Sequence, residues 1–399
     1  MTTASAAADL SNLTIGLAGP LPPHRAGMGV YVQRLAERLP QCGARLVTMI
    51  TNPTGQHAAQ GVPVYRPRPG RWMAADCMRF ALRERVDVLH VHIHGCHWKE
   101  MAPLVAVQTL AGVPVVVSQH SMIQSVAGMT SNDRAMLAAV CNRLARVVVS
   151  GPSVEAKLRE VGTHAASLVQ LPPFLPPTAE ELSWPDWPAP LAALRTGPGP
   201  LIVSGAGRLD AVNGRDLYGL DVFVRAAAQV LARLPDARFA FLLAVPGDAG
   251  LLSDAQQFLA ARGLADRVVV QMSPMPAPAL WQVADVYVRA TLDDGDAVSV
   301  REALHLGKPV VASDAVGRPT GCLTFRTADA DDLARVLLEV AADLPGHRRR
   351  VAAHPQLDAT AGLADVYRQA VRWRTPLRRI RAAAGRRILA RLPDHGDGL

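Results

Sequence analysis

The sequence predicts an α/β protein with two domains, each built on a parallel β-sheet covered by helices. The chain has 399 residues, which exceeds the roughly 250–300 residues that one hydrophobic core serves. In both halves, short apolar runs alternate with segments of helical period, the pattern of parallel sheets packed between helices. A stretch with nine prolines, residues 172–200, separates the halves and predicts an interdomain linker.

The order of elements is the same in both halves. In the first half, strands are predicted at residues 13–18, 45–50, 86–92, 113–118, 146–149 and 167–171, and the clearest helices at 30–39 and 135–144. In the second half, strands are predicted at 201–205, 238–244, 267–271, 286–289, 309–313 and 322–325, and helices at 220–234, 254–262, 278–283, 298–306 and 330–344. Ligands of such sheets bind at the carboxyl ends of the strands, so two such halves predict a cleft between them.

Composition excludes several classes of protein. Hydrophobic residues make up 49% and charged residues 19% of the chain, which excludes a largely disordered protein. The five cysteines form no CxxC pair, which favours a reduced, cytoplasmic chain over a disulfide scaffold. There is no signal-peptide pattern and no apolar run of the ~18–20 residues that span a bilayer. The net charge of +8 leaves phosphate-bearing ligands, nucleic acid and anionic membranes as candidate partners.

The most informative segment is residues 284–314, ADVYVRATLDDGDAVSVREALHLGKPVVASD. It predicts a strand, a polar loop, a helix, a glycine turn and another strand. Free amides at the start of such a helix bind phosphate, so Gly295, Val298 and Ser299 are candidate phosphate-binding residues. Asp294 and Glu302, eight residues apart, border the same position, and their carboxylates accept hydrogen bonds from sugar or ribose hydroxyls.

This segment resembles the signature of retaining GT-B glycosyltransferases of the family-4 type. In that signature an acid and a glycine are followed, eight positions after the acid, by the glutamate of EA…G.PVV.SD. The resemblance implies a GT-B fold, with two Rossmann-like doubly wound domains that face a central cleft. It also implies that Glu302 holds the ribose of a nucleotide and that Asp294 faces the donor sugar. Asp294 departs from the family, which usually has glutamate there.

Other landmarks of the family extend the resemblance over residues 13–372. Gly27 and Gly29, between the first strand and the helix predicted at 30–39, are similar to the family's glycine-rich loop, whose backbone approaches the donor phosphates. The strand near residues 115–119 ends at His120, which resembles the histidine that touches the donor sugar.

The second half begins with LIVSGAGR, residues 201–208, which resembles the family strand that ends in an arginine. The resemblance implies that Arg208 binds the donor diphosphate. In the family a lysine of a KG pair assists, but Tyr218 stands in its place. Arg215 is therefore the candidate second cation, although a guanidinium is not sterically equivalent to an ammonium group.

Some of these residues admit other interpretations. Gly27 and Gly29 also fit a tight turn or a dinucleotide site, but a dinucleotide site needs an acid about twenty residues on, and the second strand ends at Ile50-Thr51 without one. His120 also fits a strand-end histidine with a structural role, and Glu302 also fits a carboxylate that stabilises its helix start.

Two patterns suggest metal sites. His90, His92 and His94 alternate along one strand, followed by Cys96 and His97, which fits either a metal site or a strand that lines the acceptor cleft. Asp294 and Asp296 form a DxD pair like the metal motif of another transferase fold. That pair precedes a phosphate-binding helix, however, so we predict metal-independent activity with no cofactor besides the donor substrate.

The C-terminal segment differs from the rest of the chain. Residues 372–399 contain eight arginines and two aspartates, and so carry +6 of the net charge. Apolar residues recur there at near-helical spacing, which predicts either a basic amphipathic tail that contacts an anionic membrane or a solvated or disordered tail. Nucleic acid is disfavoured as a partner, because no aromatic surface for base stacking accompanies the charge.

The resemblance therefore implies a retaining hexosyltransferase of the GT-B fold. Its domains are a disordered N-terminus (1–11), an acceptor-side Rossmann-like domain (12–178), a proline-rich linker (179–200), a nucleotide-sugar-binding Rossmann-like domain with a returning helix (201–371) and the basic tail. The expected partners are a nucleotide-diphosphate sugar, guessed as a UDP-sugar, and a glycan or lipid-linked acceptor. The expected location is cytoplasmic, peripheral on the inner face of the membrane. A nucleotide-sugar epimerase and a non-catalytic homologue that binds nucleotide or a partner are the alternatives.

Overall fold

A computed structural model of the protein describes residues 9–21, 27–52, 61–67, 73–93, 95, 97–120, 122, 126–212, 214–354 and 358–372. These residues form two compact units. Unit 1 contains residues 28–175 and 359–372 together with the described residues before position 22, and unit 2 contains residues 176–358 together with Gly27. Each unit has its own parallel sheet, so the prediction of two α/β domains is confirmed.

The sheet of unit 1 has seven strands, and every pairing in it is parallel. In chain order the strands are β1 (Thr14–Gly19), β2 (Arg45–Ile50), β3 (Val64–Tyr65), β4 (Val88–Ile93), β5 (Val115–Gln119), β6 (Arg146–Val149) and β7 (Leu168–Gln170). Their order across the sheet is β3-β2-β1-β4-β5-β6-β7. The direction of winding changes between β1 and β4, the position at which open α/β sheets bind ligands.

The helices of unit 1 connect these strands. They are α1 (Gly27–Gln41), α2 (Met73–Arg83), α3 (Trp98–Ala111), α4 (Ser131–Cys141) and α5 (Pro152–Glu160). On α1, Tyr31, Leu35 and Leu39 are buried, because residues four apart lie on one face of a helix. Leu10 is also buried in the core of unit 1, which disagrees with the predicted disorder of residues 1–11 at that position; residues 1–8 lie outside the described part of the chain.

The proline-rich segment, predicted as an interdomain linker, contains two short helices. They are α6 (Ala179–Leu182) and α7 (Ala189–Leu194). Thr178 and Glu181 form a reciprocal capping box at the start of α6. In α7 the proline lies in the first turn, where its missing N–H has no partner to lose. The whole segment belongs to unit 2, and the boundary between the units falls after Leu175.

The main sheet of unit 2 has six parallel strands. In chain order the strands of the unit are β8 (Leu201–Ala206), β9 (Ala211–Val212), β10 (Arg215–Asp216), β11 (Arg238–Leu243), β12 (Val268–Met272), β13 (Val286–Arg289), β14 (Val310–Ser313) and β15 (Cys322–Phe325). β9 and β10 pair with each other as a small antiparallel ribbon. The main sheet has the order β12-β11-β8-β13-β14-β15, so its winding changes between β8 and β13.

The remaining helices complete the two units. Unit 2 contains α8 (Leu220–Arg233), α9 (Ala249–Ala260), α10 (Ala277–Val283), α11 (Val298–His305), α12 (Ala330–Ala342) and α13 (Leu344–Ala352). The last described helix, α14 (Thr360–Arg372), returns to unit 1, where Leu363 and Tyr367 are buried in one cluster with Ile15. The predicted second domain, residues 201–371, therefore ends earlier in the structure. None of the described helices is long and apolar enough to cross a bilayer.

Candidate functional site

The predicted phosphate-binding segment lies at the switch point of unit 2. β13 ends at Arg289, a loop follows, and α11 begins at Val298. Ser299, in the first turn, accepts a hydrogen bond from the Tyr287 hydroxyl at 2.7 Å. The Gly295 amide donates to Asp294 Oδ1 at 3.1 Å. Gly295, Val298 and Ser299 therefore lie together at the carboxyl edge of the sheet, where ligands of this fold class bind.

Asp294 is held by two arginines that the sequence analysis did not identify. Arg289 donates from Nε to Asp294 Oδ2 at 2.9 Å and from Nη2 to Oδ1 at 3.2 Å. Arg318 donates from Nη1 to Oδ2 at 3.0 Å, and the Thr291 hydroxyl donates to the same oxygen at 3.2 Å. Burial alone would raise the pKa of Asp294, but the two guanidinium groups outweigh it and keep this pKa below its ordinary value.

One sequence signal could have identified Arg289. It is a charged residue at the last position of a strand whose other residues are buried, and such a residue aims its charge at the carboxyl edge of the sheet. Arg318 follows β14 on a loop, and nothing in its local sequence predicts its contact with Asp294, 24 residues away.

The second acid of the DxD pair contacts a different arginine. Asp296 accepts from Arg301 Nε at 2.7 Å and 2.8 Å. Burial raises the pKa of Asp296, and Arg301 offsets part of this increase. Asp294 and Asp296 thus bind guanidinium groups, and the described residues contain no group of three metal-ligating side chains.

Glu302 is buried on α11 and has a defined partner. Its Oε2 accepts a hydrogen bond from Trp281 Nε1 at 3.1 Å, and Glu302 is only 3% exposed. The Trp281 ring packs against the Tyr287 ring with a centroid distance of 4.7 Å. The carboxylate is therefore oriented by a fixed aromatic donor.

Arg208 and Arg215 lie near each other in sequence but in different environments. Arg208 follows β8; its side chain is 63% exposed and pairs with Asp210. That hydrogen bond raises the pKa of Arg208. Arg215 is exposed on the short strand β10. Neither guanidinium is buried.

Tyr218, which replaces the family's lysine, packs against the end of β13. Its ring centre lies 5.3 Å from the Arg289 guanidinium carbon. The next residue, Gly219, has φ of +69° at the start of α8. A Cβ there would lie 2.2 Å from the Ala290 carbonyl oxygen, so the close approach of these two segments requires glycine.

In unit 1, His120 follows β5 and contacts His92, the next-to-last residue of β4. His92 Nδ1 lies 2.9 Å from His120 Nε2, and the Tyr31 ring meets both imidazoles edge-on. His92 Nε2 is buried and has no hydrogen-bond partner among the described residues. Burial, and then His90 and His120, hold the pKa of His92 well below its ordinary value.

His90 lies in the core of unit 1. Its Nδ1 lies 2.7 Å from the Tyr367 hydroxyl and its Nε2 2.8 Å from Ser118 Oγ. Burial lowers the pKa of His90 to about 3. Of the other members of the suggested metal run, His94 and Cys96 lie outside the described residues, and His97 is exposed at the N-cap of α3. Both described strand histidines therefore have structural surroundings and neutral rings at physiological pH.

The glycine-rich segment of unit 1 differs from its prediction. α1 begins at Gly27 instead of residue 30, so Gly27 and Gly29 belong to the first helical turn and not to a loop. Residues 22–26, which precede them, lie outside the described chain. A helix start still presents free amides, so this position can bind an anion through its backbone.

Two family models match the chain. Residues 25–178 match the model described as Glycosyltransferase Family 4, and residues 203–343 match the model described as Glycosyl transferases group 1. The first match covers most of unit 1, and the second covers the switch point of unit 2 and the segment from Ala284 to Asp314.

Two proteins of similar sequence are named as glycosyltransferases, and one of similar structure was solved with a nucleotide sugar. A 2-deoxystreptamine glucosyltransferase of Streptomyces kanamyceticus is 25% identical over 368 residues, 83% of this chain and 84% of that protein. A D-inositol 3-phosphate glycosyltransferase of Paenarthrobacter aurescens (strain TC1) is 26% identical over 330 residues, 73% and 77% of the two chains. The crystal structure of Anabaena HepE in complex with UDP-glucose matches with a TM-score of 0.65 at 15% identity, over 96% of this chain and 100% of that one.

Proposed function

Because the chain belongs to the glycosyltransferases of family 4 and group 1 and has their GT-B fold, we propose that it moves a hexose from a nucleotide-diphosphate sugar to a hydroxyl acceptor with retention of configuration. The observation that carries this proposal is the fixed position of the Glu302 carboxylate. Its buried carboxylate is oriented by Trp281 on the helix that follows the switch point of unit 2. A carboxylate fixed beside a phosphate-binding helix start is suited to accept the hydroxyls of a nucleotide ribose.

The donor is proposed to bind along the carboxyl edge of unit 2. The amides near Gly295, Val298 and Ser299 and the exposed guanidinium of Arg208 would hold the diphosphate, with Arg215 as a further candidate. Support for a UDP-sugar comes from HepE, whose structure contains UDP-glucose. His120, Gly27 and Gly29 are candidates through their resemblance to the family's residues at the donor sugar and the donor phosphates.

The proposed mechanism is electrostatic and needs no protein nucleophile. The bond between the sugar's anomeric carbon and the diphosphate oxygen breaks, and a bond from that carbon to the acceptor oxygen forms. The acceptor hydroxyl proton passes to the departing diphosphate. Arg208 and the backbone amides stabilise the negative charge that develops on the leaving group, while Asp294 orients the sugar, a role that the family resemblance also implies for His120. No metal and no cofactor take part in this scheme.

The acceptor is proposed to be a glycan or lipid-linked precursor. Two curated relatives are instead named for the cyclitol compounds 2-deoxystreptamine and D-inositol 3-phosphate, so a cyclitol hydroxyl is a second candidate. Incubation of the protein with labelled donor and each acceptor class distinguishes them by the mass of the product.

The location is proposed to be cytoplasmic and peripheral to the inner face of the membrane. The argument is the basic, amphipathic sequence of residues 373–399, which lie outside the described structure. Flotation with vesicles of anionic or neutral lipid tests this directly. We expect the full chain to float only with anionic vesicles and a chain ending at Arg372 to remain unbound; equal flotation of both chains contradicts the proposal.

Thermal-shift measurements with UDP-, GDP- and ADP-sugars test the donor proposal, because a ligand that binds the folded state raises the melting temperature. Product analysis then separates the reactions. Transfer to an acceptor supports the proposal, conversion of the donor sugar without acceptor indicates an epimerase, and binding without turnover indicates a non-catalytic homologue. We expect EDTA to leave transfer unchanged; loss of turnover that Mn²⁺ restores contradicts the metal-independent mechanism.

A further inference from the structure

Two arginines share one carboxylate at the switch point of unit 2. Asp294 binds Arg289 and Arg318, and the three side chains are 10%, 12% and 3% exposed. One carboxylate neutralises only one guanidinium. The trio therefore carries an excess positive charge in a largely dehydrated position, where an unpaired charge is costly.

The neighbouring acids of the loop are engaged elsewhere. Asp296 is paired with Arg301, and Asp293 Oδ1 accepts the backbone amide of Asp294 at 2.8 Å. Neither carboxylate is hydrogen-bonded to Arg289 or Arg318.

The hydrogen bonds show which of the two arginines still has N–H groups that a ligand could bind. Arg318 donates to Asp294, to the Ser313 carbonyl at 2.8 Å, to Ser313 Oγ at 2.9 Å and to Thr291 Oγ1 at 3.1 Å. Arg289 donates twice to Asp294 and makes a long contact of 3.4 Å with the Gly205 carbonyl. A guanidinium has five N–H groups, so two on Arg289 have no partner among the described residues.

Arg289 also has the right position for a ligand contact. It is the last residue of β13, and its contact with Gly205 reaches the neighbouring strand β8. The guanidinium therefore spans the two strands between which the winding of the sheet changes. The ring of Tyr218 covers one side of it at 5.3 Å.

We propose that Arg289, held in place by Asp294 and Arg318, binds an anionic oxygen group of the donor substrate. The group is either a phosphoryl of the diphosphate or a carboxylate on the transferred sugar, because both present oxygens that a guanidinium binds in bidentate fashion. This inference rests on the proposed function and extends it. Arg289, at the carboxyl end of β13, would then supply the second cation of the donor site in place of Arg215, which is exposed on β10.

The test measures ligand affinity by calorimetry for the wild type, Arg289→Gln and Arg215→Gln. Arg348→Gln is the matched control, since it breaks an Arg–Asp pair of unit 2 with Asp285 at the amino edge of the same sheet. The ligands are UDP, uridine, UDP-glucose and UDP-glucuronate, with GDP or ADP compounds substituted if thermal shifts select another base.

If Arg289 binds a phosphoryl group, Arg289→Gln lowers the affinity for UDP by about 10- to 100-fold and leaves the affinity for uridine unchanged, as expected for loss of a charge-assisted contact. If the sugar carboxylate is bound, UDP and UDP-glucose are unchanged and only UDP-glucuronate weakens. Unchanged affinity for all four ligands overturns the inference, as does a loss confined to Arg215→Gln. A wild type that binds no nucleoside diphosphate overturns the proposed function itself.

A second variant keeps the test informative if Arg289→Gln loses its thermal transition. Arg289→Lys retains the charge but not the planar fork, and we expect it to weaken binding of the same ligand by about tenfold. Tyr218→Lys in that background places an ammonium group beside the same position and is expected to restore part of the affinity. Affinity equal to wild type in Arg289→Lys, with no effect of Tyr218→Lys, contradicts the inference.

Discussion

His92 Nδ1 lies 2.9 Å from His120 Nε2, so the ring that resembles the family's sugar-binding histidine is oriented by a buried histidine on the neighbouring strand. In His92→Phe a planar aromatic ring is kept, one ring atom larger, and this contact is lost. We expect little change in melting temperature, because the substitution also removes the buried Nε2 atom that has no partner. Transfer should fall by about tenfold, consistent with one lost hydrogen bond. His120→Ala is the comparison, and a full rate in His92→Phe contradicts the positioning role.

Acid should destabilise unit 1 through its buried histidines. Burial lowers the pKa of His90 to about 3 and that of His92 well below its ordinary value. The unfolded chain therefore takes up protons below pH ~6.5 that the folded chain does not. The contribution of the two neutral histidines to the free energy of unfolding is complete above this pH. It is lost as the pH falls toward the folded pKa values, by about 1.4 kcal/mol per pH unit for each histidine.

Urea unfolding at pH 7.5, 6 and 5 measures this loss. His90→Gln removes one of the two groups and should make the slope between pH 6 and 5 shallower by about 1.4 kcal/mol per unit. Identical slopes in the two proteins show that His90 is protonated in the folded state.

Removal of the Asp294 carboxylate should destabilise unit 2. Asp294→Ala leaves Arg289 and Arg318 beside each other with no counter-charge. We expect the free energy of unfolding to fall by about 3–5 kcal/mol, the usual cost of breaking a buried ion pair from one side. Denaturant unfolding measures it. Glu339→Ala, which breaks a solvent-exposed pair with Arg335, is the control and should have little effect; equal effects contradict the burial argument.

Gly219 tests the close approach that positions Tyr218. In Gly219→Ala, the new Cβ would lie 2.2 Å from the Ala290 carbonyl oxygen, at a φ of +69°. Gly263→Ala is a matched control, since Gly263 has a φ of +64° and no atom within 4 Å of the added Cβ. We expect Gly263→Ala to lower stability by about 1 kcal/mol and Gly219→Ala to lower it by clearly more. Similar melting temperatures for both variants contradict the steric requirement.

The sequence predicted the elements that apolar runs define and missed those that depend on distant contacts. The strands β2, β6, β13 and β15 have the predicted bounds, because each is a short run dominated by apolar residues. The helix predicted at 254–262 begins earlier, at Ala249, where Asp248 accepts the amides of Gly250 and Leu251. This cap lies before the run of apolar residues whose helical spacing predicts the helix.

The sequence predicted some residues of the candidate site and missed others. Local spacing identified Asp294 and Glu302, since both belong to one segment. Two partners of these acids come from outside that segment: Trp281 from the preceding helix, and Arg318 from the loop after the next strand. The contact of Tyr367 with His90 joins residues 277 positions apart. No period or motif specifies such contacts, because they depend on tertiary packing.

The central claim is that unit 2 holds the nucleotide of a sugar donor and drives its departure. The most direct measurement is transfer of labelled sugar by the wild type, Glu302→Ala and Arg208→Ala, with the donor that the thermal-shift panel selects. We expect each variant to lose roughly 100-fold or more in kcat/KM, the usual effect of removing a group that stabilises developing charge or orients the substrate. Arg348→Gln, at the amino edge of the same sheet, should retain the wild-type rate. Wild-type turnover in both Glu302→Ala and Arg208→Ala would contradict the assignment of this site.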